Sequence, residues 1–342
     1  MDRRRSPLAA ALAATLGLAV LGAGAVTAQD ASSAPAPVPL RVGLGYIPSV
    51  QFAAFYLADA AGYYRDAGLD VTFENKIDPE LITLIGQGAV DIGMGDGTSV
   101  IPARSQGIPV RYAATIYADF PSVVFAKASS GIASPADLAG RSLGIPGKFG
   151  TSWVMLQALL GSAGLTPDDL EIVLYPDFGQ GAAVGADAVD SATGFANNEP
   201  VRLALTGEEV TVLRVDDIVP LPGPGLVVGD ATLAAKGDAL RAFVAATTRA
   251  MAEIAEDPQR GIDAAFARIP ELAAEPEAQR AVLEATIAGW SNAYTEANGY
   301  GAIDPAAWGA TIDFLSGLPE SPVAGPVSVE DVITQDLLTV EE

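Results

Sequence analysis

The sequence contains no cysteine and no histidine. The first absence excludes disulfides, thiolate nucleophiles and cysteine-ligated metals. The second removes the side chain most used as a general base near neutral pH, and with it any Ser-His-Asp triad. No Cys or His metal site can form, and an enzyme would have to work through carboxylates or Lys; no metal, no other cofactor and no catalytic residue is expected. Basic residues are scarce as well: 19 Lys and Arg stand against 42 Asp and Glu, a formal charge of −23. So acidic a chain repels nucleic acid and anionic lipid, and neither is expected as a partner. The acidic residues are scattered and not gathered in a tail, a distribution that serves solubility. Long apolar runs are confined to one place, residues 8–26.

That run explains itself by its flanks. Arg3, Arg4 and Arg5 precede it, and Val26-Thr27-Ala28 follows with small residues suited to cleavage. The pattern predicts a secretory signal over residues 1–28 and an extracytoplasmic, periplasmic-type location. An uncleaved membrane anchor is the alternative, because the run is long enough to span a bilayer. Residues 29–39, which include Ser-Ser-Ala-Pro-Ala-Pro-Val-Pro, read as a short extended linker. The fold is then expected to start at Leu40. The full length of 342 residues suggests about two domains, and half of the residues are apolar, enough for a sizeable core.

Strand-like and helix-like segments alternate along the mature part. LRVGLGY (40–46) reads as a buried strand and QFAAFYLADAAGYYRDAG (51–68) as a helix ending at Gly68. LDVTFEN (69–75) is a second strand, residues 79–91 a short helix, and DIGMGDG (91–97) a strand entering a glycine loop. A helix at 98–107 and a strand at 110–118 follow. The series then recurs: a strand at 141–147, a helix at 151–164, and strands at 170–176, 187–200 and 209–217. The first strand–loop–helix–strand run and the second share Ala-Gly-Leu before their closing strand, which suggests two related α/β lobes. Alternation of this kind implies mostly parallel sheets flanked by helices. After PLPGPG (220–225) come one more strand and a helical C-terminal part, with Trp290 and Tyr294 four apart on one helical face. Residues 40–125 and 222–325 are expected to form lobe 1, and 126–221 lobe 2, with crossings near Ser122–Ser130 and at PLPGPG.

Ligands bind beyond the carboxyl ends of the strands of such sheets. Four loops fall there: YIPSVQF (46–52), GDGTS (95–99), PGKFGTS (146–152) and NNEP (197–200). They bring together Tyr46, Ser49, Gln51, Phe52, Asp96, Thr98, Phe149, Thr151, Asn197, Asn198 and Glu199, and Tyr117 flanks them. Tyr46 and Phe149 suit ring stacking. Thr98 and Thr151 sit at helix N-termini, where free N–H groups favour an acceptor, although ordinary capping would place Ser or Thr there too. Phe52 stands on a helix, where core packing competes with a site role. PGKFG lacks the spacing of a phosphate loop, and GMGDG fits a dinucleotide fingerprint poorly. Pro200 is expected to end the strand behind Glu199.

Several of these stretches resemble a known family. GYIPSVQFAAFYLADAAGYYRDAGLDV, with Gly62-Tyr63-Tyr64 and Ala67-Gly68-Leu69-Asp70-Val71, is similar to the first segment of bacterial ABC-transporter solute-binding proteins of the thiamine-pyrimidine, nitrate and sulfonate group. DIGMGDG and SPADLAGRSLGIPG match as well, and GYIPSVQFA with GFANNEP looks most like the riboflavin-binding subgroup. The resemblance implies a type II periplasmic-binding-protein fold, a small-molecule ligand between the lobes, an ABC permease partner in the cytoplasmic membrane, and a monomer. A thiamine pyrimidine precursor is the alternative ligand, and a nitrate- or sulfonate-type anion a weaker one, because Glu199 would repel it. The family's histidine-consuming pyrimidine synthase uses a Cys-rich motif that this chain lacks. Two non-transport readings stand beside these: a carboxylate enzyme built on Asp96 and Glu199, and a sensor module whose closed form docks another partner.

Overall fold

The computed structural model describes residues 36–77, 80–218, 221–318 and 321–338. The expected signal and the first part of the expected linker lie outside these residues. Ten strands form two five-stranded sheets of the same design. The first holds β1 (Val38–Gly45), β2 (Leu69–Ile77), β3 (Ile92–Gly95), β4 (Val110–Thr115) and β10 (Gly225–Gly229), in the order β2-β1-β3-β10-β4. The second holds β5 (Ser122–Lys127), β6 (Ser142–Ile145), β7 (Glu171–Leu174), β8 (Ser191–Phe195) and β9 (Val210–Arg214), in the order β7-β6-β8-β5-β9. In each sheet the fourth strand, β10 or β5, runs antiparallel to both neighbours, while the others are parallel. Each antiparallel strand is buried along its whole length, and the apolar runs Gly-Leu-Val-Val-Gly and Val-Val-Phe-Ala suit a sheet covered on both faces.

The chain leaves the first sheet after Thr115, threads the second from Ser122 to Arg214, and returns at Gly225. The expected lobe border between residues 125 and 126 falls inside β5, all of which pairs in the second sheet. The C-terminal helices belong with the first sheet. Phe243, Ala250, Met251, Val282 and Leu283 share one core with Leu40, Val42 and Phe55 on one face. Trp308, Leu315 and Val332 close the other face against Leu81, Ile85 and Tyr112.

Three expectations need correcting. The segment 51–68 is not one helix: a 3-10 turn over Val50–Phe52 leads into a helix Ala53–Ala60, which stops at Gly62 (φ 80°) before a short turn Tyr63–Asp66. A left-handed glycine is where a helix ends, and it re-aims the chain here. Trp290 and Tyr294 share no helix, because Pro276–Ala288 ends before Trp290 and Ala293–Asn298 starts anew behind the Asn292 cap. Pro200 ends no strand: β8 is already over at Phe195, and Pro200 sits in the first turn of a helix Glu199–Ala204. Its missing N–H is tolerated there because first-turn donors have no intrahelical partner.

Candidate functional site

The four expected loops do converge, one pair from each sheet. A cavity between them is lined by Tyr46, Gln51, Phe52, Asp96, Tyr117, Phe149, Thr151, Asn198 and Glu199. Ser49, Thr98 and Asn197 stand behind that wall. Ser49 caps the 3-10 turn, its hydroxyl accepting from the Gln51 backbone at 3.3 Å and side chain at 3.1 Å. Thr98 is consumed by Asp96. Asn197 is buried and ties Gln51 from behind, its Nδ2 donating to Gln51 Oε1 at 3.0 Å.

Asp96 follows β3 and caps the helix Gly97–Ser105. Oδ1 accepts from the Thr98 N–H at 2.8 Å and from its hydroxyl at 2.6 Å. Oδ2 accepts from the hydroxyl of Thr151, a residue of the second lobe, at 2.7 Å. Burial pushes the Asp96 carboxyl above the usual range, and the Thr98 and Thr151 hydrogen bonds oppose that shift without cancelling it. Glu199 occupies the matching place after β8. Its carboxylate folds back on the strand end, Oε2 accepting from the Phe195 N–H at 2.9 Å. Gly194 makes that possible: a Cβ there would stand 2.8 Å from Glu199 Oε2 and 2.9 Å from the Phe125 ring, closer than real Cβ contacts. Burial again raises the carboxyl, with the Phe195 N–H the chief opposing influence.

Aromatic rings supply most of the remaining surface. Tyr46 meets Phe178 edge to face in the cavity wall, with centroids 5.1 Å apart. Burial pushes the Tyr46 phenol up, and the nearby Glu199 charge adds to it. Phe149 is 50% exposed and folds over the backbone of Gly147. Lys148, the cation in these loops, lies 5.5 Å from the Trp153 ring centroid and is absent from the cavity wall. No Lys or Arg lines the cavity among the described residues.

Sequence reasoning missed Phe178 and Gln180, both in the wall. Phe178 has φ 62°, a left-handed backbone that a bulky residue adopts only under constraint. Both residues follow β7, itself a parallel strand. Extending the carboxyl-end rule to every parallel strand, beyond the two central loops of each lobe, would have included them. A second cavity lies beside the crossover segments, lined in part by Asp119, Asp216, Asn292 and Asp304. Two of its acids have structural duties: Asp216 pairs with Arg214 at 2.7 Å, and Asp304 caps the helix Pro305–Gly317. The first cavity, which gathers the loops of both sheets, is the candidate site.

Residues 49–261 match the model of the family described as NMT1/THI5 like. The chain belongs to this family. The riboflavin-binding protein RibY of Chloroflexus aurantiacus is 35% identical over 323 residues, covering 92% of this chain and 91% of that protein. The formylaminopyrimidine-binding protein of Halalkalibacterium halodurans is 28% identical, over 72% of this chain and 75% of its own length. A 4-amino-5-hydroxymethyl-2-methylpyrimidine phosphate synthase of Legionella pneumophila is 27% identical, over 63% of this chain and 69% of its own. Among solved structures, the alkanesulfonate-binding protein SsuA from Xanthomonas axonopodis pv. citri bound to MOPS superposes with a TM-score of 0.65 at 19% identity, covering 85% of this chain and 98% of that one. The fold is thus the two-lobed periplasmic-binding-protein fold that the resemblance implied, with the helix-flanked sheets that the alternation of strands and helices implied. No helix among the described residues is long and apolar enough to cross a membrane.

Proposed function

We infer that this chain is the extracytoplasmic solute-binding component of an ABC importer, holding a small, neutral heteroaromatic ligand between its lobes, with riboflavin the favoured ligand. The observation that carries the reading is the character of the cavity wall. It presents the rings of Tyr46, Phe52, Phe149 and Phe178, the carboxyls of Asp96 and Glu199, and no cationic side chain. Flat rings suit aromatic faces, and Asp96, Glu199, Gln180 and Asn198 supply donors and acceptors for a ring edge. An anionic sulfonate or nitrate would meet two carboxyls and no compensating charge, which counts against it. The similarity to RibY over nearly the full chain supports riboflavin within the heteroaromatic class.

An aminopyrimidine ligand is the second reading, favoured by the carboxyls, which accept well from an exocyclic amine. The synthase-named relatives raise an enzymatic alternative. Against it, the chain has no histidine and no cysteine, so the usual general base near neutral pH and the thiol nucleophile are both missing. The permease partner, the monomeric state and the exported location belong to the same proposal. Its test is a calorimetric titration of the purified protein with riboflavin, an aminopyrimidine, taurine and nitrate. Riboflavin is expected to bind at micromolar or tighter concentration with quenching of flavin fluorescence. Binding of the aminopyrimidine alone would move the assignment within the class, and binding of taurine or nitrate alone would overturn the heteroaromatic reading.

A further inference from the structure

Asn197 belongs to the second lobe, two residues beyond β8, yet its side chain is buried among groups of the rest of the molecule. Its Nδ2 donates to Thr286 Oγ1 at 2.7 Å and to Gln51 Oε1 at 3.0 Å, and lies 3.4 Å from the Tyr117 hydroxyl. Gln51 sits in the first lobe's 3-10 turn, Tyr117 in the crossover, and Thr286 on the helix Pro276–Ala288 of the first lobe's core. The partners determine which way the amide points. Thr286 spends its own hydrogen on the Val282 carbonyl at 2.7 Å, so its oxygen is left to accept. Gln51 directs its Nε2 to Ser49, leaving Oε1 as the acceptor. One N–H₂ group of the second lobe is thus plugged into a socket of acceptors built by the first. Asn197 itself is not in the cavity wall, whereas Gln51 and Tyr117 are. Asn197 Oδ1 finds no protein partner.

We propose that Asn197 is a positioning residue: a latch between the lobes that sets ligand affinity by holding the cleft closed, without touching the ligand. The idea rests on the reading of the cavity as a ligand cleft, and the socket also holds Gln51 in place in the cavity wall. Apparent affinity scales with the fraction of molecules already in the competent arrangement, so weakening the latch weakens binding from a distance.

Asn197→Asp is the sharpest variant, because it keeps the shape and replaces the donating N–H₂ with a further acceptor facing acceptors. Thr286→Val, on the other side of the contact, is the second. The absence of native cysteine allows two to be introduced for spin labels, as Asp70→Cys in the first lobe and Asp168→Cys in the second, both at exposed positions. In ligand-free protein, Asn197→Asp is expected to move the label–label distances to longer values and to weaken riboflavin binding by about tenfold or more. Thr286→Val should act in the same direction with a smaller effect, and it decides the matter alone if Asn197→Asp does not fold. Unchanged distances in the folded variants would overturn the latch. So would a loss of affinity at unchanged distances, which would place Asn197 against the ligand. If riboflavin fails to bind even the parent protein, the ligand assignment falls, while the ligand-free distances still judge the latch.

Discussion

Three consecutive polar residues at the end of β8 face three different ways. Asn197 turns into the interlobe contact, Asn198 lies beside Tyr46 at the cavity, and Glu199 folds back onto the Phe195 N–H. Their presence near the candidate cavity was readable from the sequence, because the loop follows a parallel strand. Their separate duties were not, since they depend on where Gly194 leaves room and where Thr286 arrives from 89 residues away. The Glu199 and Asp96 carboxyls bind their protons more tightly in the folded chain than in the unfolded one, because burial raises both. Stability from this source is fully present below the ordinary carboxylate range and is lost as pH rises through that range towards the folded values. Glu199→Gln is therefore expected to flatten the fall in melting temperature between about pH 4 and pH 8 relative to the parent. Parallel melting curves for parent and variant across that range would show that Glu199 keeps its ordinary acidity.

At the scale of elements, the parallel strands and their following helices were legible from period and turn chemistry. The antiparallel strands were less so. Ser122–Lys127 reads as a connection because it has no helix of its own after it, and Gly225–Gly229 reads as one more strand with no sign of its direction. Both are placed by partners distant in sequence, which local pattern cannot reveal. Their central position makes them sensitive. A Cβ on Gly225 would come within 2.2 Å of the Ala114 carbonyl oxygen and 2.3 Å of the Tyr112 hydroxyl, and Tyr112 is itself tied to the Gly223 carbonyl at 3.0 Å. Gly225→Ala is expected to destabilise the protein by about 1–3 kcal/mol, towards the upper end because the backbone must shift. A urea midpoint equal to that of the parent would contradict this packing.

At the scale of the whole molecule, the two sheets are copies of one design with different histories along the chain. The resemblance between the two strand–loop–helix runs announces the copies, and the identical strand orders make the correspondence explicit. The second sheet is continuous in sequence, from Ser122 to Arg214. The first is finished only when β10 slots between β3 and β4, after the entire second sheet has been made. A fragment spanning 120–216 is accordingly expected to melt cooperatively by circular dichroism, and one spanning 36–118 to show no cooperative transition. The opposite pattern would mean that neighbours in space matter less here than neighbours in sequence. For a chain that emerges from its amino end, β3 and β4 wait with open edges while roughly a hundred further residues appear, a span of at least several seconds at ordinary rates of synthesis. Unpaired edges invite pairing with other chains. The inserted strand therefore makes completion of the first half of this protein depend on the second, and any delay before β10 is added prolongs the exposure of those edges.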